Sequence, residues 1–375
     1  MQRLPRAPQR KRPQKFWNEF ENKALVYDLF WHFDGQQVLL VGPPALNLEN
    51  HWLSAKFVAL PSGKPLDAVF HHVRSTLTVA LQQVPAHTEQ IQLEFAGLSF
   101  VAPIQPNMVD QFAGKRVLFT MSKDNSLNWI KEWALFHQIT HGADAVIVID
   151  NGSKSYQPQD VAKALSEVVG IDKVLVISWP YKYGPHDPGV VFHRFWANFL
   201  QVASFAVILR RFGRRAFGLL NVDIDELAGP LKGTDIFAAT KESQDGYFRL
   251  LGHWVEAVAD PGYREEAPIH PAYRSVRRDI RHRLNAKKWC LDPTRSWLDN
   301  LEVLPSVHRV MNISKQMSSR APRGHFWHFK GINTNWKHDR LGKKPPKTFM
   351  LKRPNELREM FETYLEQKSR GAEKS

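Results

Sequence analysis

Three of the four residues from Asp223 to Glu226 are acids, set in the run Val222-Asp223-Ile224-Asp225-Glu226-Leu227. Carboxylates this close repel one another unless a cation sits between them. A hard divalent ion, Mg2+ or Mn2+, suits oxygen donors at this spacing. On an extended segment, residues two apart face the same side. Asp223 and Asp225 can therefore reach one ion while Ile224 turns to the core. Glu226 either supports the ligands from behind or caps the segment that follows. Two further polar clusters carry groups able to do chemistry, Ser122-Lys123-Asp124-Asn125 and Asp150-Asn151-Gly152-Ser153. The second also reads as an ordinary Asn-Gly turn.

Each cluster follows a segment that reads as a strand. Arg116-Val117-Leu118-Phe119-Thr120 precedes the first, Ala145-Val146-Ile147-Val148-Ile149 the second and Phe217 to Val222 the acids. Between the first two, Ser126 to about Thr140 is a predicted helix, with Trp129, Ile130, Trp133, Ala134 and His137 on one face. Asn125 or Ser126 can cap it and Gly142 can end it. A second helix runs from about Gln159 to Val169, and Val174 to Ile177 is a further strand. Strand centres near 119, 147 and 175 recur every 28 residues, the period of βαβ units and hence of a parallel sheet. In open α/β sheets, ligands bind beyond the carboxyl ends of the strands. Ser122, Asp124, Asp150, Asn151, Asp223 and Asp225 all stand at such ends.

The ordered set Thr120-Met121-Ser122-Lys123-Asp124-Asn125, Trp129-Ile130-Lys131-Glu132-Trp133, Phe136-His137, Gly142 and Val148-Ile149-Asp150-Asn151-Gly152-Ser153 resembles the opening of the family 2-like and family 92-like glycosyltransferases. The run Asp223 to Leu227 resembles their D-x-D-E-(F/L) motif. The likeness covers about residues 116 to 230. It departs at the family's "NE", which reads Asp124-Asn125, and at Lys154-Ser155. The resemblance implies a GT-A fold, a Rossmann-like α/β domain that transfers a sugar from a nucleotide-diphosphate donor, most commonly UDP-linked. It puts Asp150 near the base and ribose, and makes Asp223 and Asp225 holders of the Mn2+ or Mg2+ that bridges the diphosphate. Further on, His325-Phe326-Trp327-His328-Phe329-Lys330-Gly331 and Trp336-Lys337 are similar to an H-F-x-G…W segment. That likeness makes His328 a third metal ligand, with Lys330 or Lys337 meeting phosphate; His325 reads better as packing. No residue stands out as a catalytic base. Glu256 is the candidate named, at the end of the strand-like Gly252-His253-Trp254-Val255-Glu256, and a retaining transfer needs none.

The chain has 375 residues, 43% of them hydrophobic, a globular composition for about two domains. Residues 1–15 hold six cations, three prolines and no acid, and read as a disordered basic tail. Residues 16–112 hold strand-like runs with few helix patterns between them, and are expected to form a small β-rich accessory domain. The transferase domain is expected over 113–345, and a C-terminal helix and tail over 346–375. A long helix is expected from Phe192 to Arg211, and the spacings of Arg274, Arg277, Arg278, Arg281 and Arg283 put most of them on one face of another.

Net charge is +14, which points to an anionic partner. A nucleotide sugar with a glycan or lipid-linked acceptor satisfies that, as does an anionic membrane surface. Nucleic acid is the competing partner, and no nucleic-acid motif accompanies the charge. A catalytically inactive scaffold of the same fold is the other alternative. The single cysteine, Cys290, excludes an intramolecular disulfide. With no spanning segment or leader legible, the expected location is cytoplasmic, or peripheral at the inner face of a membrane.

Overall fold

The computed structural model describes residues 2–73, 75–185, 197–263, 268–279, 284–334 and 346–372. The chain is mixed α/β and divides into two compact units, each built from several stretches of sequence. The first comprises residues 1–113, 180–215 and 294–313; the second comprises 114–179, 216–293 and 314–375.

The first unit holds two four-stranded antiparallel sheets. One runs in the order Asp28–Trp31, Val38–Gly42, Thr76–Leu81, Ala68–Val73, the other Lys64–Leu66, Lys56–Leu60, Gln90–Phe95, Leu98–Pro103. Their alternating residues enclose one core, which includes Leu40, Trp52, Phe57, Val79, Ile91 and Phe95. The helix Phe199–Val207 also belongs to this unit and continues as a π-helix over Ile208–Gly213. A reading in chain order had placed that helix with the transferase domain; its expected first turns lie outside the described residues.

The first fifteen residues are not the free tail expected from their charge. Arg3 is 1% exposed. Its guanidinium donates to Pro44 O at 2.9 Å and Ala24 O at 2.8 Å. A buried cation that satisfies backbone carbonyls ties the segment down, and this local bonding overrides composition.

In the second unit, eight strands form one sheet: β1 (Arg116–Ser122), β2 (Ala145–Asp150), β3 (Lys173–Ser178), β4 (Gly218–Asn221), β5 (Glu226–Ala228), β6 (Tyr247–Val255), β7 (Lys287–Leu291) and β8 (Arg323–Phe329). The order is β3-β2-β1-β4-β7-β6-β8-β5. β1 to β4 pair in parallel; β7 turns antiparallel to β4 and β6, and β8 lies parallel to β6 and antiparallel to β5. β2 is buried along its whole length, as its unbroken apolar run demands. Helix α1 (Leu127–His141) ends at Gly142 with φ 67°, a left-handed turn that closes on Gln138 O at 2.8 Å. Its first turn lacks the side-chain cap expected of Asn125 or Ser126; Asn125 instead donates to the Ser122 hydroxyl at 2.9 Å. Helices α2 (Pro158–Ser166), α3 (Ile236–Glu242) and α4 (Asn355–Ala372) complete the layers.

The arginine cluster after residue 273 is not a helical face. Val276–Arg277 pairs as a short strand with Leu351–Lys352, and Arg281 and Arg283 lie outside the described residues. Arg274 and Arg278 are held by the carbonyls of Pro271 and Leu351, and Arg277 by Glu256. These tertiary partners outweigh the helical spacing.

Candidate functional site

β4 ends at Asn221, and the chain turns through Val222 to Asp225 before β5 begins at Glu226. The register of β5 on β8 sets Glu226 opposite His328, and that of β6 on β8 sets Trp254 opposite His328 from the other side. Two sheet pairings thus bring residues about a hundred positions apart into one cluster. Asp225 Oδ2 lies 2.9 Å from His328 Nε2, and Glu226 Oε1 lies 3.2 Å from His328 Nδ1. Ligand atoms of Asp225, Glu226 and His328 all fall within 4.8 Å of one another, which makes this the one cluster of metal-ligand type among the described residues.

Asp223 has a different partner. Its Oδ2 forms an ion pair with Lys288 Nζ at 2.7 Å, and the same ammonium lies 2.9 Å from Glu226 Oε2. Lys288 is 1% exposed. It arrives through β7, whose pairing with β4 sets Trp289 opposite Asn221, so the next residue falls beside the acid turn. Sequence reading missed Lys288. A lysine at the head of Trp289-Cys290-Leu291 looks like a strand boundary until the antiparallel partner is known.

The electrostatics follow from these contacts. Burial alone disfavours a charged His328, but Asp225 and then Glu226 outweigh it and push the imidazolium up to about 9. Burial would likewise raise the Glu226 carboxyl, yet Lys288 and His328 hold it below its ordinary value. Burial opposes the Lys288 charge too, and Asp223 with Glu226 raise it above its usual range. Three carboxylates thus face two cations. The acids do not simply repel, because protein cations already sit between them.

Three buried histidines clamp the backbone that carries the acids. His270 Nε2 donates to Ile224 O at 2.8 Å. His137 Nε2 accepts from the Ala228 amide at 3.1 Å, and its Nδ1 donates to Trp133 O at 2.8 Å. His141 Nδ1 accepts from the Ile236 amide, and its Nε2 donates to Ala228 O at 3.1 Å. Each bond from a backbone amide fixes the neutral tautomer of the ring it meets.

The other strand-end residues make turns. Asp150 accepts from the Gly152 and Ser153 amides at 3.1 Å each and from the Ser153 hydroxyl at 2.5 Å. Asp124, at φ 53°, accepts from the Lys154 amide at 2.6 Å and from the Ser155 amide and hydroxyl at 3.0 Å each. Burial pushes its carboxyl up, and these donors, with Lys123, together hold it below its ordinary value. Asn151 donates to Trp179 O at 2.8 Å. An open cavity of about 670 Å3 adjoins the Asp124 turn, lined by Asp124, Ser126, Trp129, Ser155, Tyr156 and Thr334. A groove of about 700 Å3 lined by Leu135, Ile139 and Val168 holds none of the strand-end residues.

Glu256 is buried and accepts from Lys330 Nζ at 2.6 Å and Arg277 Nε at 3.2 Å. Lys330 lies 5.2 Å over the Trp254 ring and follows Phe329, whose amide donates to Asp225 O at 2.8 Å. The structure therefore brings Asp225, His328, Lys330 and Glu256 to one neighbourhood, with Asp223 held by Lys288. Lys337 lies outside the described residues. His325 packs against Trp327 and His253.

The spacing fits a divalent ion. Two ligands on adjacent corners of an octahedron with bonds of about 2.1 Å stand about 3 Å apart, and Asp225 Oδ2 and His328 Nε2 are separated by 2.9 Å. A carboxylate beneath the other ring nitrogen is the usual support of a metal-bound histidine. A scan against protein-family models finds no match to the chain, and a search of curated proteins finds no relative.

Proposed function

We propose that the second unit is a GT-A-type glycosyltransferase domain that moves a sugar from a nucleotide-diphosphate donor, in the first instance a UDP-sugar, to a glycan or lipid-linked acceptor. The observation that carries the reading is the approach of Asp225 and His328, 103 residues apart, at 2.9 Å beyond the carboxyl end of β4. Polar turns at the ends of β1, β2 and β4 in a parallel half-sheet, each with at least one acid, support it.

Mn2+ or Mg2+ held by Asp225 and His328 would offset the charge that develops on a departing diphosphate. The chain's own groups do the rest. Lys330, steered by Glu256 and Trp254, presents a cation beside the acids for phosphate oxygens. The cavity beside Trp129 and Tyr156 is of a size that takes a nucleoside. Asp124 and Ser155, bonded to each other, form part of its edge. Glu256 serves to hold Lys330 and Arg277, and no proton transfer is assigned to it. The excess of basic residues suits acceptors presented at an anionic membrane surface.

Thermal-shift measurement with UDP, GDP and CMP, with and without Mn2+, tests the reading. A ligand at a hundred times its dissociation constant adds about 2.7 kcal/mol, so a UDP-dependent rise that requires Mn2+ is the expected result. No nucleotide stabilising the protein in the presence of metal would sink it.

A further inference from the structure

The acid turn contains more carboxylates than one ion uses, and the structure sorts them. Asp225 faces His328 Nε2 at 2.9 Å, while Glu226 faces His328 Nδ1 at 3.2 Å, on the opposite side of the same ring. One imidazole cannot offer both nitrogens to one ion. Whichever nitrogen binds metal, the other carries a proton that needs an acceptor. Nε2 is the nitrogen beside the more exposed acid: the Asp225 side chain is 21% exposed and that of Glu226 only 2%. Glu226 is fixed from behind by the Asp223 amide, which donates at 2.8 Å, and by its ion pair with Lys288 Nζ at 2.9 Å. Lys288 is buried and carries Asp223 on its other side. The order in space is therefore Asp223, Lys288, Glu226, His328, Asp225.

We propose that Glu226 is a positioning residue rather than a ligand: it accepts the Nδ1 proton of His328, turns Nε2 toward the ion held with Asp225, and is itself locked by Lys288. Asp223 then belongs to Lys288 and not to the ion. This assignment rests on the metal-dependent reading above and changes it at one residue, since the D-x-D pattern alone selects Asp223. A two-residue spacing shows which side chains share a face. It does not show that a lysine 65 residues downstream claims the first of them.

Two measurements test it without any sugar donor. The first titrates Mn2+ alone into the full chain and follows free Mn2+ by electron paramagnetic resonance. Glu226→Leu is expected to weaken Mn2+ by 10–100-fold, the usual effect of removing the support of a metal-bound histidine. Asp223→Asn, which leaves the Glu226–His328 contact in place, is expected to weaken it less. Equal affinity in Glu226→Leu and the unaltered chain, or a larger loss in Asp223→Asn, overturns the assignment while leaving the metal reading intact. Absence of Mn2+ uptake by the unaltered chain overturns the metal reading itself. The second needs no variant. In 15N-labelled, Mg2+-loaded protein, the His328 ring is expected to show a protonated Nδ1 and an unprotonated Nε2. The reverse pattern overturns the assignment even if Glu226→Leu fails to fold.

Discussion

At the scale of single residues, the balance of charge in the acid turn decides how variants behave. Read from sequence, clustered acids should repel, and deleting one should steady the metal-free protein. The structure reverses that sign, because Lys288 and His328 already neutralise two of the three. Breaking a buried pair by removing one partner costs about 3–5 kcal/mol, since the other charge is stranded. Lys288→Met is accordingly expected to lower the melting temperature strongly without metal, and calorimetry on the metal-free chain checks it. Asp225→Ala is expected to lower it less, because that carboxylate is partly exposed, and to abolish both Mn2+-dependent stabilisation and donor turnover. Full turnover in Asp225→Ala would end the metal-site assignment. Asp225 was legible because its motif is local. For Glu226 the sequence left two roles open, and Lys288 was not legible at all, because both depend on β7 and β8, which are joined to the turn only by sheet pairing.

At the scale of elements, the parallel half of the sheet was readable and the antiparallel half was not. β1, β2 and β3 announce themselves through unbroken apolar runs at a fixed period. β7 and β8 mix lysine, histidine and tryptophan with apolar residues, as in Arg323-Gly324-His325-Phe326-Trp327-His328-Phe329, because one end of each serves the site. Turn chemistry was also under-read: Asp124 and Asp150 spend their carboxylate oxygens on backbone amides. The histidine clamp on β5 carries a pH prediction. Burial pulls His137, His141 and His270 below the ordinary histidine value, His141 to about 4. A group whose folded value is depressed takes up protons more readily when unfolded. The contribution of these three histidines should therefore be full above about pH 6.5 and fall as pH drops from there toward 4, by up to about 1.4 kcal/mol per histidine per pH unit. Urea unfolding at pH 7.5, 6 and 5 measures it. His141→Phe, which removes one titrating ring, should flatten the slope, and an unchanged slope would count against the clamp as its source.

At the scale of the whole molecule, chain order and spatial order diverge. The first unit closes only with residues 180–215 and 294–313, which are contributed after most of the parallel sheet of the second. Its helix Phe199–Val207 is buried at eight of nine positions and packs on the strands Val38–Gly42 and Thr76–Leu81. A chain beginning at Gly114 would keep that helix and lose those strands, leaving a large apolar surface open to solvent. Such a chain is expected to aggregate or to bind a hydrophobic dye strongly, whereas a boundary read in sequence order would make it a self-sufficient domain. A monodisperse, cooperatively melting product would contradict this. Charge at this scale bears on surfaces as well. No helix among the described residues is long and apolar enough to cross a membrane. Exposed lysines and arginines each add about 1 kcal/mol near an anionic surface. Flotation with anionic vesicles should exceed that with neutral ones, though less than the fifteen N-terminal residues alone suggest, since Arg3 is committed inward.

The distance along the chain between Asp225 and His328 also has a meaning in time. A ribosome adding about 5–20 residues per second delivers His328 about 5–20 s after Asp225, given their separation of 103 positions. Lys288 arrives between them. Until Lys288 is added the nascent chain carries three neighbouring carboxylates with neither of the cations that later face them, and until His328 is added it has only one of the two. The charge balance of the acid turn is thus complete only once β8 has been made.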